Sequence, residues 1–195
     1  MGKLTGLEIY KQIKEGRIVI DPFDENRLNP NSYNVQLAPT LKVYQNNAKH
    51  WDNGLMQECI ILDAKKENKT TDIEIPETGF CLQPGTLYLG RTVERTQTNH
   101  YVPIIDGRSS NGRLGIVIHA TAGFGDIGFD GTWTLEIFVI HPTIIYPYME
   151  IGQVSFEEPV GDTSYQYKGR YLGQTDVTAS RSFESKKGKS MDFMK

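Results

Sequence analysis

The residues of this chain that could do chemistry crowd into one stretch, Ile105 to Ile137, which reads IDGRSSNGRLGIVIHATAGFGDIGFDGTWTLEI. Its first part, GRSSNGR, offers Arg108 and Arg113 as charged forks for phosphate oxygens. Ser109 and Ser110 add hydroxyl donors beside Asn111, and Gly107 and Gly112 let backbone N–H groups approach a ligand closely. A solvated, arginine-bearing turn between strands would have the same composition. The run lacks the Gly-Lys-Ser/Thr ending of a P-loop, which excludes that fold. Glu136 lies inside TWTLEIFVI, an apolar strand. It is either a strand residue on the solvent face or a carboxylate poised to take a proton from water. Asp126, in the glycine-rich GFGDIGFDG, reads on its own as a turn aspartate, and His119 as a core histidine.

The elements that must position these groups are mostly strands. Only the N-terminal segment has helical spacing, with Leu4, Leu7, Ile9, Tyr10 and Ile13 apolar, Thr5 as N-cap and Gly16 beyond the last turn. A short strand is expected at Arg17–Ile20. From Asn31 onward, strands are expected at Tyr33–Leu37, Leu41–Tyr44, Ile73–Ile75, Gly79–Leu82, Leu87–Thr92, Val102–Ile105, Ile116–His119, Thr132–Val139 and Ile151–Phe156. Glycines and prolines punctuate them at short intervals, the pattern of a sandwich or jelly roll. The polar, lysine-rich stretch between about Gln45 and Ile73 reads as a long excursion carrying a hairpin. Residues 1–183 are expected to form one domain, and the charged end from 184 to 195 a disordered tail or arm.

Composition narrows the function classes. The chain has 195 residues, 38% hydrophobic and 23% charged, as expected of a soluble globular protein. A net charge of −3 gives no general attraction to nucleic acid, so any phosphate binding must be local. Cys59 and Cys81 are far apart and lack a Cys-x-x-Cys partner; neither a disulfide framework nor a structural zinc site is expected, and a reducing cytoplasm fits. The N-terminus has no apolar run long enough for a signal peptide or a membrane span. Zinc-dependent cytidine deaminases need His-x-Glu and Pro-Cys-x-x-Cys, and this chain has neither.

The order GRSS-x-x-RLG, H-x-TAG, D-x-GF-x-G and TLE resembles the dCTP deaminase family, the deaminating branch of the trimeric dUTPase superfamily. RLNPNSYNVQL, GFCLQPGTLYLGRTVE, IGQVSFE and YKGRYLGQ resemble further segments of that family, so the similarity runs over roughly residues 4–183. The resemblance implies a mainly β, dUTPase-like distorted barrel or jelly roll with a short N-terminal helix. It also implies a homotrimer with active sites at subunit interfaces. Glu136 would be the general base for water attack on C4 of cytosine, with Ser109 and the backbone at Ala122 holding that water. Arg113 would stand near Glu136 and set its protonation. The phosphates would lie on Arg108, Ser109, Ser110, Asn111, Gly112 and Arg113, and the base against Thr134, Leu135 and Glu136. Asp126 would meet the deoxyribose or adjacent water, and Gln153, Tyr167, Arg170 and Gln174 would close over the nucleotide. Tyr165 is the alternative to Tyr167.

The resemblance further implies Mg²⁺ carried by the triphosphate and water, and no zinc. Feedback by dTTP is common in the family. Thr121-Ala122-Gly123-Phe124-Gly125-Asp126 sides with the branch that continues from dUTP to dUMP and diphosphate, where Asp126 would help activate the second water. The chain departs from the family pattern at Asn34, where aspartate is usual, at Arg170, where lysine is common, and at Gly125 and Ile127, which replace residues more often isoleucine and proline. A plain dUTP diphosphatase and a non-catalytic nucleotide-binding regulator are the rival readings.

Overall fold

The computed structural model describes residues 2–184, so the expected tail lies, apart from Glu184, outside the described residues. In chain order the elements are α1 (Gly6–Lys14), β1 (Ile18–Asp21), a single 3₁₀ turn (Glu25–Arg27), β2 (Tyr33–Gln36), β3 (Thr40–Tyr44), β4 (Ala48–Asp52) and β5 (Leu55–Cys59). They continue with β6 (Thr70–Glu74), β7 (Phe80–Leu82), β8 (Tyr88–Thr98), β9 (Val102–Gly107) and α2 (Ser109–Gly112). The last four are β10 (Ile116–Val117), β11 (Asp130–Val139), β12 (Thr143–Ile145) and β13 (Glu150–Glu157). The expected mainly β architecture with one short N-terminal helix is what forms.

Two compact units are present. Among the described residues the first comprises 2–43 with Asp72–Thr178, and the second Tyr44–Thr71 with 179–184. In the first unit, one sheet runs β10-β11-β8-β3-β6, with β1 also pairing β8, and a second runs β2-β13-β9. A short β12-β7 ladder completes it; β12 was not among the expected strands. The long strand β8 is the hub. Its far end carries β1 through Ile18↔Thr98 to Asp21↔Arg95, and β11 pairs along most of its length. β8 runs on to Thr98, past the expected end at Thr92, and no glycine, proline or asparagine stands between Thr92 and Asn99.

α1 starts where Thr5 predicts. The Thr5 hydroxyl accepts the Glu8 N–H at 3.3 Å, Glu8 sits in the first turn, and Lys11 and Lys14 sit in the last, which complements the helix dipole. Ile9 is fully buried, worth roughly 1.5–3 kcal/mol. Leu7, expected on the apolar stripe, is instead 85% exposed. It stands two residues from Ile9, about 200° away around the helix.

The core of the first unit gathers Tyr33, Val35, Leu37, Leu135, Ile137, Ile151, Val154 and Phe156. One charged side chain lies among them. Glu94, fully buried, forms a 2.6 Å ion pair with Arg27 and accepts the Gln36 N–H at 2.9 Å. Burial pushes its carboxyl above the usual carboxylate range, against the pull of those two partners. In the second unit, β4 and β5 form the expected hairpin. Asn53 and Gly54 turn it with φ of 48° and 81°, the conformation that an Asn-Gly pair tolerates best. Ser182 Oγ donates to the Ala64 carbonyl at 2.8 Å within the same unit.

Candidate active site

β11 settles which way Glu136 faces. Trp133, Leu135, Ile137 and Val139 are buried, whereas Thr134, Glu136 and Phe138 alternate onto the other face. Glu136 is half-buried, opposite Leu89 of β8. Its backbone N–H bonds the Ile118 carbonyl at 2.8 Å, which extends the β10–β11 ladder. Its carboxylate oxygen Oε2 accepts the Ala120 N–H at 2.8 Å. A charge-assisted bond of this kind ties the start of the 120–128 loop to the strand. Glu136 is thus an outward carboxylate, bonded to the residue two positions before Ala122 in the chain.

The 120–128 loop lies along β9. Ile105 N–H donates to the Gly123 carbonyl at 2.7 Å, and Gly125 N–H donates to the Pro103 carbonyl at 2.8 Å. Gly128 N–H reaches the Thr98 carbonyl at 2.8 Å. His119 Nε2 stands 3.4 Å from Asp106 Oδ1, and its ring packs under Gly123, where an added Cβ would lie 3.2 Å from Cε1. Asp106 is the second-last residue of β9, and α2 begins three residues later. A continuous set of contacts therefore runs from Glu136 through Ala120, His119 and Asp106 to the arginine-serine turn.

That turn forms the single helical turn α2. Ser109 and Ser110 are exposed on it, with Arg113 exposed at its C-cap. Arg108 is drawn to β13, where its Nη1 lies 2.8 Å from Glu150 Oε2. Asn111 is turned inward: 6% exposed, its amide donates to the Glu150 and Ile151 carbonyls at 2.9 and 3.1 Å. Its side chain anchors the turn, because a buried amide must find partners and β13 supplies them. Asn34 also donates to Glu150, at 3.1 Å. An aspartate there would set two carboxylates side by side. Arg113, expected near Glu136, forms no ion pair with it among the described residues of this single chain.

The late residues divide. Gln153 is held by Ser32 Oγ at 2.7 Å and donates to the Gly107 carbonyl at 3.1 Å. Gln174 lies along β11, its carbonyl accepting the Thr132 N–H at 2.9 Å and its amide donating to the Thr132 carbonyl at 2.7 Å. Thr134 Oγ1 accepts the Thr178 N–H at 3.3 Å, and Leu135 points into the core. Tyr167 donates its backbone N–H to the Ile127 carbonyl at 2.8 Å, and its ring stands 6.0 Å from Phe129. Arg170 is half-buried and Tyr165 is 61% exposed. Asp126 is exposed, and among the described residues only its carbonyl is engaged, by the Phe129 N–H at 3.1 Å. Trp133, whose ring lies against Gly125, was not among the expected site residues; its only signal along the chain is a tryptophan in TWTLE.

A mainly β protein with an outward glutamate, a serine-arginine turn and a glycine-rich acid loop defines a nucleotide-processing class, and the family model confirms it: residues 3–159 match the dCTP deaminase-like family, to which this chain belongs. Among its curated relatives, a protein of Hathewaya histolytica named dCTP deaminase, dUMP-forming, is 49% identical over 181 residues, covering 93% of this chain and 97% of that one. Proteins of the same name from Clostridium beijerinckii and Cytophaga hutchinsonii are each 48% identical over 177 residues, 91% of this chain and 94% of theirs. The fold also matches the crystal structure of 2′-deoxycytidine 5′-triphosphate deaminase from Agrobacterium tumefaciens, with a TM-score of 0.59 at 16% identity. That alignment covers 81% of this chain and 48% of the other.

Proposed function

We propose that this chain hydrolyses dCTP to dUMP in two steps at one site: dCTP and water give dUTP and ammonia, and dUTP and a second water give dUMP and diphosphate. The observation that carries the reading is the outward Glu136 carboxylate bonded to Ala120 at the head of the loop that bears Asp126. Relatives nearly half identical over almost their whole length carry the name of a dUMP-forming dCTP deaminase.

In the first step Glu136 takes a proton from water held by Ser109 and the backbone at Ala122, as the water attacks C4. Glu136 then returns the proton toward N3 and the departing ammonia. In the second step Asp126 orients the water that attacks the α-phosphate. Arg108, Ser109, Ser110, Arg113 and the backbone of Asn111 and Gly112 bind phosphate oxygens. Thr134 to Glu136 line the base, and Gln153, Tyr167, Arg170 and Gln174 close the site.

Among the described residues no group of three or more His, Cys, Asp or Glu side chains stands ready to hold a metal. The proposal has Mg²⁺ arrive with the triphosphate, since this ion keeps water and phosphate oxygens as ligands. When bound, it would neutralise phosphate charge, while the residues above do the binding and proton transfer.

The assembly proposed is a homotrimer with sites between subunits, which would bring Arg113 of one chain to Glu136 of another. The proposal includes dTTP as feedback inhibitor, a cytoplasmic location, and no nucleic-acid or membrane partner. No helix among the described residues is long and apolar enough to cross a membrane. Incubation with dCTP and Mg²⁺, with ammonia and diphosphate followed separately, is the test. Both products support the proposal. Ammonia alone reduces it to a deaminase, diphosphate from dUTP alone to a dUTP diphosphatase, and neither product to a binding protein.

A further inference from the structure

Asp126 has no side-chain partner among the described residues that would place its carboxylate. Its position is set by the backbone on either side, and one residue before it, at Gly125, that backbone lies against the side chains of Trp133 and Pro103. A Cβ built at Gly125 would lie 2.6 Å from Cη2 of Trp133, 3.3 Å from its Cζ2 and 3.2 Å from Pro103 Cγ. The indole is therefore in direct contact with the loop main chain one residue before Asp126. The ring cannot easily yield. It is 7% exposed, its Nε1 donates to Thr96 Oγ1 at 2.8 Å, and its backbone N–H donates to Thr92 Oγ1 at 3.0 Å. On the other side of Asp126 the contact chain continues. Phe129 packs on Trp133 with ring centroids 5.3 Å apart, and on Tyr167 at 6.0 Å. Tyr167 N–H in turn holds the Ile127 carbonyl at 2.8 Å. Trp133 also shares β11 with Glu136, three residues away.

From these contacts we propose that Trp133 is a positioning residue for the second reaction. Its ring sets the reach of Asp126 relative to the Glu136 strand, and so sets how much dUTP is hydrolysed before it escapes. Gly125 is its obligate complement, a small residue opposite a large one. Through Phe129 and Tyr167 the same ring registers the late segment against the loop. The inference rests on the assignment of dUTP hydrolysis to the Asp126 loop.

The test measures, with dCTP and Mg²⁺, the fraction of product released as dUTP rather than dUMP, alongside the deamination rate and the melting temperature. In Trp133→Val the loop loses its support, and the dUTP fraction is expected to rise at least threefold while deamination stays within about threefold. Gly125→Ala pushes the loop away from the same ring and is expected to shift the partition in the same direction, which keeps the test available if the valine variant does not fold. The double variant Trp133→Val with Gly125→Ile refills the contact from the other side and is expected to restore dUMP formation. An unchanged partition in folded Trp133→Val or Gly125→Ala overturns the proposal, as does a parallel loss of both reactions with no rescue. Asp126→Asn separates the two levels. If it still forms dUMP at the parent rate, the underlying assignment fails; if it accumulates dUTP while the Trp133 variants do not, only the positioning role fails.

Discussion

Replacing Glu136 by glutamine removes the proton acceptor and almost nothing else. The carboxylate accepts one backbone N–H, from Ala120 at 2.8 Å. A hydrogen bond to a charged group contributes about 1.5–3 kcal/mol and a neutral one about 0.5–1.5. Since glutamine retains an acceptor oxygen of the same reach, the loop tether weakens by only about 1–2 kcal/mol. Leu135 and Ile137, which anchor the strand in the core, are untouched. The chemical loss is larger: a positioned general base contributes about 10²–10⁴-fold, or roughly 3–5.5 kcal/mol of barrier. Glu136→Gln is therefore expected to lower kcat for ammonia release from dCTP at least 100-fold, with KM within a few-fold. Diphosphate release from supplied dUTP should persist, because it depends on Asp126. Ammonia and diphosphate assays on the folded variant read both. Turnover of dCTP within tenfold of the parent would refute the assignment of the base. Loss of both reactions together would refute the separation of the two acids.

Other outcomes follow from the fold and the substrate. Arg27→Met strands the buried Glu94 carboxylate and is expected to cost about 3–5 kcal/mol in urea unfolding. Glu94 also gives a pH signature. Its folded pKa is raised by burial, so its contribution to stability is complete below the ordinary carboxylate range and is lost as pH rises through the raised value. Urea midpoints across pH 4 to 8 should fall less steeply with pH in Glu94→Gln; identical slopes would contradict the burial effect. Thr5→Ala removes the cap on α1 and is expected to cost about 1 kcal/mol, read as a lower denaturation midpoint at unchanged activity. Chelating Mg²⁺ is expected to suppress turnover of dCTP reversibly, without altering the melting temperature of the free protein, because the ion is proposed to be carried by the triphosphate and water rather than by the fold.

Much of this architecture is local chemistry and was legible along the chain. Thr5, Glu8 and the two lysines define α1, Asn53-Gly54 defines its hairpin, and the alternation in TWTLEIFVI defines β11. The clustering of arginine, serine and glycine before Glu136 was enough to bring out the resemblance to a family. These features depend on backbone propensity and side-chain period, which neighbours in sequence set. Other properties required the fold. Period alone could not say whether Glu136 faced water or core, since either face of a strand can be the buried one; pairing with β8 and the burial of Leu135 and Ile137 decided it. Nor could sequence assign Asn111 inward or Arg108 to Glu150, because both depend on β13, about 40 residues away in the chain. The match of Gly125 to Trp133 is of the same kind. A glycine's need for space appears only once the ring that fills that space is in place.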